Sequence, residues 1–208
     1  MVATAFAKLQ QHLVHAQDEN QRPPVELHFF GSGDPHLTAW LQEQPDINVH
    51  GESTPASMRA FLNNNRCAGL MLYQTGPRYR LLGTNSRKMF EYLATGAALI
   101  ATGIGEVTQF VKTNDVGYLL PPEGTDSDLV AVFVDILAHP DRFARKCRNA
   151  RQLMQKPTMN WEAQWQTAID CGLLDGRVRT AIPLSGRHAS STGTHCAVRP
   201  SSTSTRAA

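Results

Sequence analysis

Asn85 to Glu106 reads NSRKMFEYLATGAALIATGIGE, and its reading decides the fold. Ser86 is a helix-capping residue type, and the eight residues from Arg87 to Ala94 contain no breaker. Met89, Phe90, Leu93 and Ala94 fall at helical spacing and predict one buried stripe. Lys88, Glu91, Tyr92 and Thr95 fall on the other side. Gly96 suits the positive φ that ends a helix. Ala97-Ala98-Leu99-Ile100-Ala101 is then a short, unbroken apolar run, which predicts a strand covered on both faces. Thr102-Gly103 closes it, and Gly105-Glu106 opens the next helix. Helix, glycine stop, buried strand and glycine turn make an αβα unit. In an open α/β sheet, ligands sit beyond the carboxyl ends of the strands and at helix N-termini. Ser86, Arg87 and Lys88 stand at such an N-terminus, where backbone N–H groups and basic side chains favour an anion.

Outward from this stretch, helices and buried strands alternate. An apolar stripe predicts a helix from Thr4 to about Asn20. Val25–Phe30 reads as a strand running into the Gly31-Ser32-Gly33 turn. Those two glycines could admit a diphosphate close to the backbone, or form an ordinary strand-to-helix turn. His36–Gln44 predicts a short helix with Leu37, Trp40 and Leu41 inward. Ile47–Gly51 predicts a strand, and Pro55–Asn65 a helix with Met58, Phe61 and Leu62 inward. Ala68–Tyr73 is another buried strand. The loop QTGPRYRLLGTN, residues 74–85, carries Arg78, Tyr79 and Arg80. Helices are expected at about 106–113, 125–138, 141–155 and 160–171, with a last strand at 116–122. This alternation predicts a doubly wound parallel α/β sheet of Rossmann-like type.

The chain has 208 residues, of which 41% are hydrophobic and 18% charged, a globular composition. The net charge of +2 does not suggest nucleic acid. It is uneven: from Gly172 onward five Arg stand against one Asp, so that segment carries +4 and the rest −2. Two regions follow, a folded domain over 1–171 and a basic, Ser/Thr-rich tail over 172–208. The tail is poor in large apolar residues, which predicts disorder. Its basic character leaves peripheral contact with an acidic membrane face open. Cys67, Cys147, Cys171 and Cys196 show no metal-binding spacing, so no metal is expected and reduced thiols of a cytoplasmic protein are the simpler reading. The first 20 residues lack the basic and apolar blocks of a signal peptide.

Ser86 to Thr102 resembles the signature of the nucleotide-sugar-binding half of GT-B-fold glycosyltransferases of the group 1 family, P-x-K-x-x-E-Y-L-A-x-G-x-P-V-I-A-T. The likeness extends over about Ala5 to Asp170. It implies binding of a nucleoside-diphosphate sugar, with no further cofactor. It implies that Glu91 holds the ribose hydroxyls and that Lys88 lies toward the phosphates. Ser86 and Arg87 would meet the nucleotide largely through backbone. Gly31 and Gly33 would lie by the diphosphate, Val49, His50 and Gly51 by the base, and Tyr73 at a strand end facing the donor. The activity implied is hexosyl transfer, in polysaccharide or glycoconjugate synthesis.

Departures temper this. Gly83 stands where many relatives carry a second Glu, and Ala98 replaces a Pro. The first strand of the domain, with its basic pair, and the whole acceptor half are missing from the pattern. The chain alone is therefore expected to be inactive, a truncated or split enzyme needing a separate acceptor-binding domain or chain. The alternatives are a degenerate nucleotide- or partner-binding module and, more weakly, a nucleotide-sugar epimerase. No catalytic residue is assigned.

Overall fold

The computed structural model describes residues 1–16, 25–76, 79, 86–159, 166, 169–170 and 195–200. In chain order the elements are α1 (Val2–Ala16), β1 (Val25–Phe30), α2 (Pro35–Gln42), β2 (Ile47–Gly51), α3 (Pro55–Asn64) and β3 (Ala68–Met71). They continue as α4 (Arg87–Thr95), β4 (Ala98–Thr102), α5 (Gly105–Asn114), β5 (Gly117–Leu120), α6 (Asp126–Ala138), α7 (Pro140–Met154) and β6 (His195–Pro200).

Strands β1 to β5 form two parallel groups, β2-β1 and β3-β4-β5. The period of two along β4 explains its apolar run. Ala98 and Ile100 pack on one face with Leu9 of α1 and Leu129 and Phe133 of α6. Leu99 and Ala101 pack on the other with Leu62 of α3, Met89 and Leu93 of α4 and Val107 of α5. Helix α7 serves both layers, through Phe143 and Cys147 on one side and Ala150 and Leu153 on the other. A strand between two helical layers has no polar face to show, hence the continuous hydrophobic stretch. The α/β, doubly wound architecture expected from the sequence is the one observed.

One strand departs from it. The sheet order is β2-β1-β6-β3-β4-β5. Strand β6 lies between the two parallel groups and runs antiparallel to both neighbours. Disorder was expected over 172–208, yet His195–Pro200 is part of the central sheet. Composition missed it because backbone pairing recognises any extended segment, whatever its side chains. The rest of that tail lies outside the described residues, as do Arg78, Arg80, Gly83 and most of the helix expected at 160–171.

Two side-chain assignments also change. On α4, Tyr92 and Thr95 are buried and Ala94 is exposed. Helix α4 is covered by the sheet on one side and by α7 on another, so its buried arc is wider than a single stripe. The Tyr92 ring lies flat on Gly69 of β3, where an added Cβ would fall 2.2 Å from Tyr92 Cγ. On α2, Leu37 and Trp40 are 47% and 42% exposed, and Leu41 alone among the three is buried. Helix α2 packs beside β2, the edge strand, where little sheet remains to cover a second apolar position.

Candidate functional site

The expected site residues fall into two groups at the carboxyl ends of the parallel strands. The first lies beyond β3 and β4. Tyr73 leaves β3 and its N–H donates to Thr102 Oγ1 at 3.1 Å. Its hydroxyl meets Ser86 Oγ at 3.2 Å, and its ring stacks on Tyr79 with centroids 5.1 Å apart. Ser86 sits at the N-cap of α4 but makes no side-chain cap bond, contrary to the role its type suggests. The Tyr73 phenol has captured that hydroxyl instead. Backbone capping survives through the Phe90 N–H, which donates to the Ser86 carbonyl at 3.3 Å.

Glu91 stands one turn into α4. Its Oε1 accepts from Arg87 Nε at 3.0 Å, the i,i+4 spacing that places two side chains one above the other. The exposures differ sharply: 72% for the Arg87 side chain and 14% for that of Glu91. A mostly sheltered carboxylate is thus roofed by a guanidinium in open solvent. Lys88 and Glu91 were expected on one side of the helix with separate roles; Arg87 is an ion-pair partner of Glu91. Lys88 is half-buried on the same helix. The far end of α4 is sealed by Gly96 at φ 76° and by Arg151, whose Nη2 donates to the Thr95 carbonyl at 3.0 Å.

The second group lies beyond β1 and β2. Gly31 has φ 121° and Gly51 φ 65°, conformations that suit glycine. Their backbones are tied, the Gly31 N–H donating to the Gly51 carbonyl at 2.7 Å. Gly33 differs: its φ is not positive, and an added Cβ would meet only Thr38 Oγ1, at 3.9 Å. Asp34 caps α2 by accepting from the Leu37 N–H at 3.0 Å. The turn favours glycine at position 31 and has room for a side chain at position 33.

His50 belongs to a chain of titratable groups that the sequence did not reveal. Glu26 Oε2 lies 2.9 Å from His28 Nε2, and His28 Nδ1 lies 3.0 Å from His50 Nε2. A carboxylate only accepts, so His28 Nε2 carries the proton. With both rings neutral, His28 Nδ1 accepts from His50 Nε2 and His50 Nδ1 is left as an acceptor. The His50 ring stacks on Phe30 at 4.2 Å with an interplanar angle of 2°. Burial holds its pKa below the ordinary value. The period-2 alternation of Glu26, His28 and Phe30 was the available signal; it places all three on one face of β1. Strand β6 separates the two groups, so β1 and β3 stand about two strand spacings, roughly 10 Å, apart.

Thr75 Oγ1 donates to Glu123 Oε1 at 2.8 Å, joining the loops that follow β3 and β5. Among the described residues, no group of three or more His, Cys, Asp or Glu is placed to hold a metal ion. Among them, too, no helix is long and apolar enough to cross a membrane.

No family model matches the chain, and no curated protein matches it. Solved glycosyltransferase structures are similar to it in fold. WaaG, a glycosyltransferase of lipopolysaccharide biosynthesis, gives a TM-score of 0.49 at 10% identity, over 67% of this chain and 36% of that one. The sucrose-phosphate synthase of Thermosynechococcus elongatus gives 0.49 at 20%, over 69% and 37%. Anabaena HepE in complex with UDP-glucose gives 0.44 at 15%, over 64% and 35%. The chain therefore spans little more than a third of the length of each. At such identities the likeness concerns the fold alone and assigns no residue a role.

Proposed function

We propose that this chain is the donor-binding unit of a glycosyltransferase, holding the nucleoside diphosphate of a sugar donor at the carboxyl ends of β1 to β4. The observation that carries the reading is the sheltered Glu91 carboxylate near the N-terminal end of α4, within the signature of residues 86–102. A carboxylate in that setting can accept two hydrogen bonds from a vicinal diol, which is what a ribose offers. Arg87, being exposed, can swing off Glu91 without disturbing the core. Arg87 and Lys88 would then offset the diphosphate charge that grows on the leaving group, together with the backbone N–H groups of α4. Gly31, Gly51 and His50 would face the nucleotide from the other group, and Tyr73 would line the cleft. In this reading the sugar passes to a hydroxyl acceptor of a polysaccharide or glycoconjugate. The acceptor and the catalytic residue belong to a further domain or chain.

Calorimetric titration with UDP, GDP and ADP, free and as sugar conjugates, tests the reading. One of them should bind, and Glu91→Gln should weaken it about tenfold, or roughly 1.4 kcal/mol. Saturating nucleotide with neither heat nor thermal shift would overturn it. Binding without sugar transfer, with and without added acceptor-domain protein, would mark the chain instead as a nucleotide-binding module.

A further inference from the structure

Strand β6 is unlike the others in three ways. It is the antiparallel member of an otherwise parallel sheet, and it joins the sheet from a segment more than 120 residues beyond β3. It also pairs unequally. All six of its residues register with β1, from Val25↔Pro200 to Phe30↔His195. With β3 it registers at two positions, Ala68↔Val198 and Gly69↔Ala197. The flanking strands β1 and β3 run in one direction and do not pair with each other. With β6 withdrawn, the facing N–H and C=O groups of both strands would lie unpaired within the sheet, flanked by the buried Val25, Leu27, Ala68 and Leu70. Such a gap is a template for an added strand.

We propose that the space between β1 and β3 is a strand-accepting site, and that residues 195–200 are its exchangeable occupant. The chain's own segment fills it here, and the same segment from a second copy can enter in its place. Recognition is by backbone. Attachment to the same chain gives the resident strand an effective concentration of about millimolar order. Exchange therefore needs a competitor at comparable concentration.

The test uses the full chain. Phe29 and Cys196 are register partners. Directly opposed residues in an antiparallel pair stand about 4.5–5.5 Å apart at Cα, within disulfide reach. Phe29→Cys should therefore form an intramolecular disulfide with Cys196 under mild oxidation, read by peptide mass mapping. Glu26→Cys with Arg199→Cys makes a second lock at the other end, should the first variant fold poorly. A fluorescent peptide covering residues 193–202, with Cys196→Ser, is then added at millimolar concentration. Fluorescence anisotropy should show saturable binding to the reduced chain and at least a tenfold lower bound fraction on the locked chain. A folded variant that does not cross-link at either position overturns the placement of β6. A peptide that ignores the reduced chain, or binds locked and reduced chains alike, overturns exchange. None of these readouts involves nucleotide.

Discussion

Gly69 shows how one missing side chain fixes a helix. The Tyr92 ring occupies the space a Cβ would need, so α4 rests on β3 through an aromatic face on bare backbone. Gly69→Ala should cost about 1–3 kcal/mol in urea unfolding, the usual range for overpacking. Gly69→Ala with Tyr92→Ala should cost less than the sum of the two singly, because the second change removes the clash made by the first. His50 gives the residue-scale pH dependence. Its pKa is lowered by burial, so below 6.5 the unfolded chain binds the proton more readily than the folded one. The stability associated with it is fully present above 6.5 and lost as pH falls through the folded value. The urea midpoint should therefore drop between pH 7.5 and pH 5, and His50→Gln should make that drop shallower. This group was only half legible beforehand: His50 stood out as a residue, but its links to His28 and Glu26 depend on register between β1 and β2, which one sequence does not specify.

Among the elements, those whose signals are local read well from sequence. Gly96 announces the left-handed end of α4, and β4 is as apolar as its two covered faces demand. Helix α6 begins with a reciprocal cap: Asp128 N–H donates to Thr125 Oγ1 at 3.4 Å, and Thr125 N–H to Asp128 Oδ2 at 2.7 Å. Thr125→Ala should destabilise the fold by about 1 kcal/mol, and Thr125→Ser should restore most of it, by thermal melting followed by circular dichroism. The end of α5 near Thr113 was legible, but the contacts that hold it were not. Asp115 adopts φ 48° there, and its carboxylate is held below the usual carboxylate range, first by the hydrogen bond from Lys146 and then by charge and by Arg145 of α7. Asp is among the residue types that tolerate the left-handed region, and here its carboxylate is tied to a second helix 30 residues on. The width of the α4 interface has a similar cause: Tyr92 is buried against Gly69 of β3 and Arg151 of α7 reaches the Thr95 carbonyl, both tertiary facts. Strand β6 is the extreme case, six residues in a polar tail with no periodic hydrophobic signal.

The whole molecule is held by more than its sheet. Phe133 of α6 is 2% exposed and packs in the layer that also contains Leu9 of α1 and Phe143 of α7. That layer bridges the β2-β1 and β3-β4-β5 groups, since Leu27 and Ile100 both belong to it. Phe133→Ala should therefore cost about 3–5 kcal/mol and lower the stability of both halves together, seen as one coincident transition by hydrogen exchange in β1 and β4. The position of β6 also bears on biosynthesis. From Met71, the end of β3, to His195 is 124 residues, about 6–25 s of translation at about 5–20 residues per second. Through that interval the nascent polypeptide carries a sheet open at its middle, a state that ribosome-associated chaperones would be expected to shield.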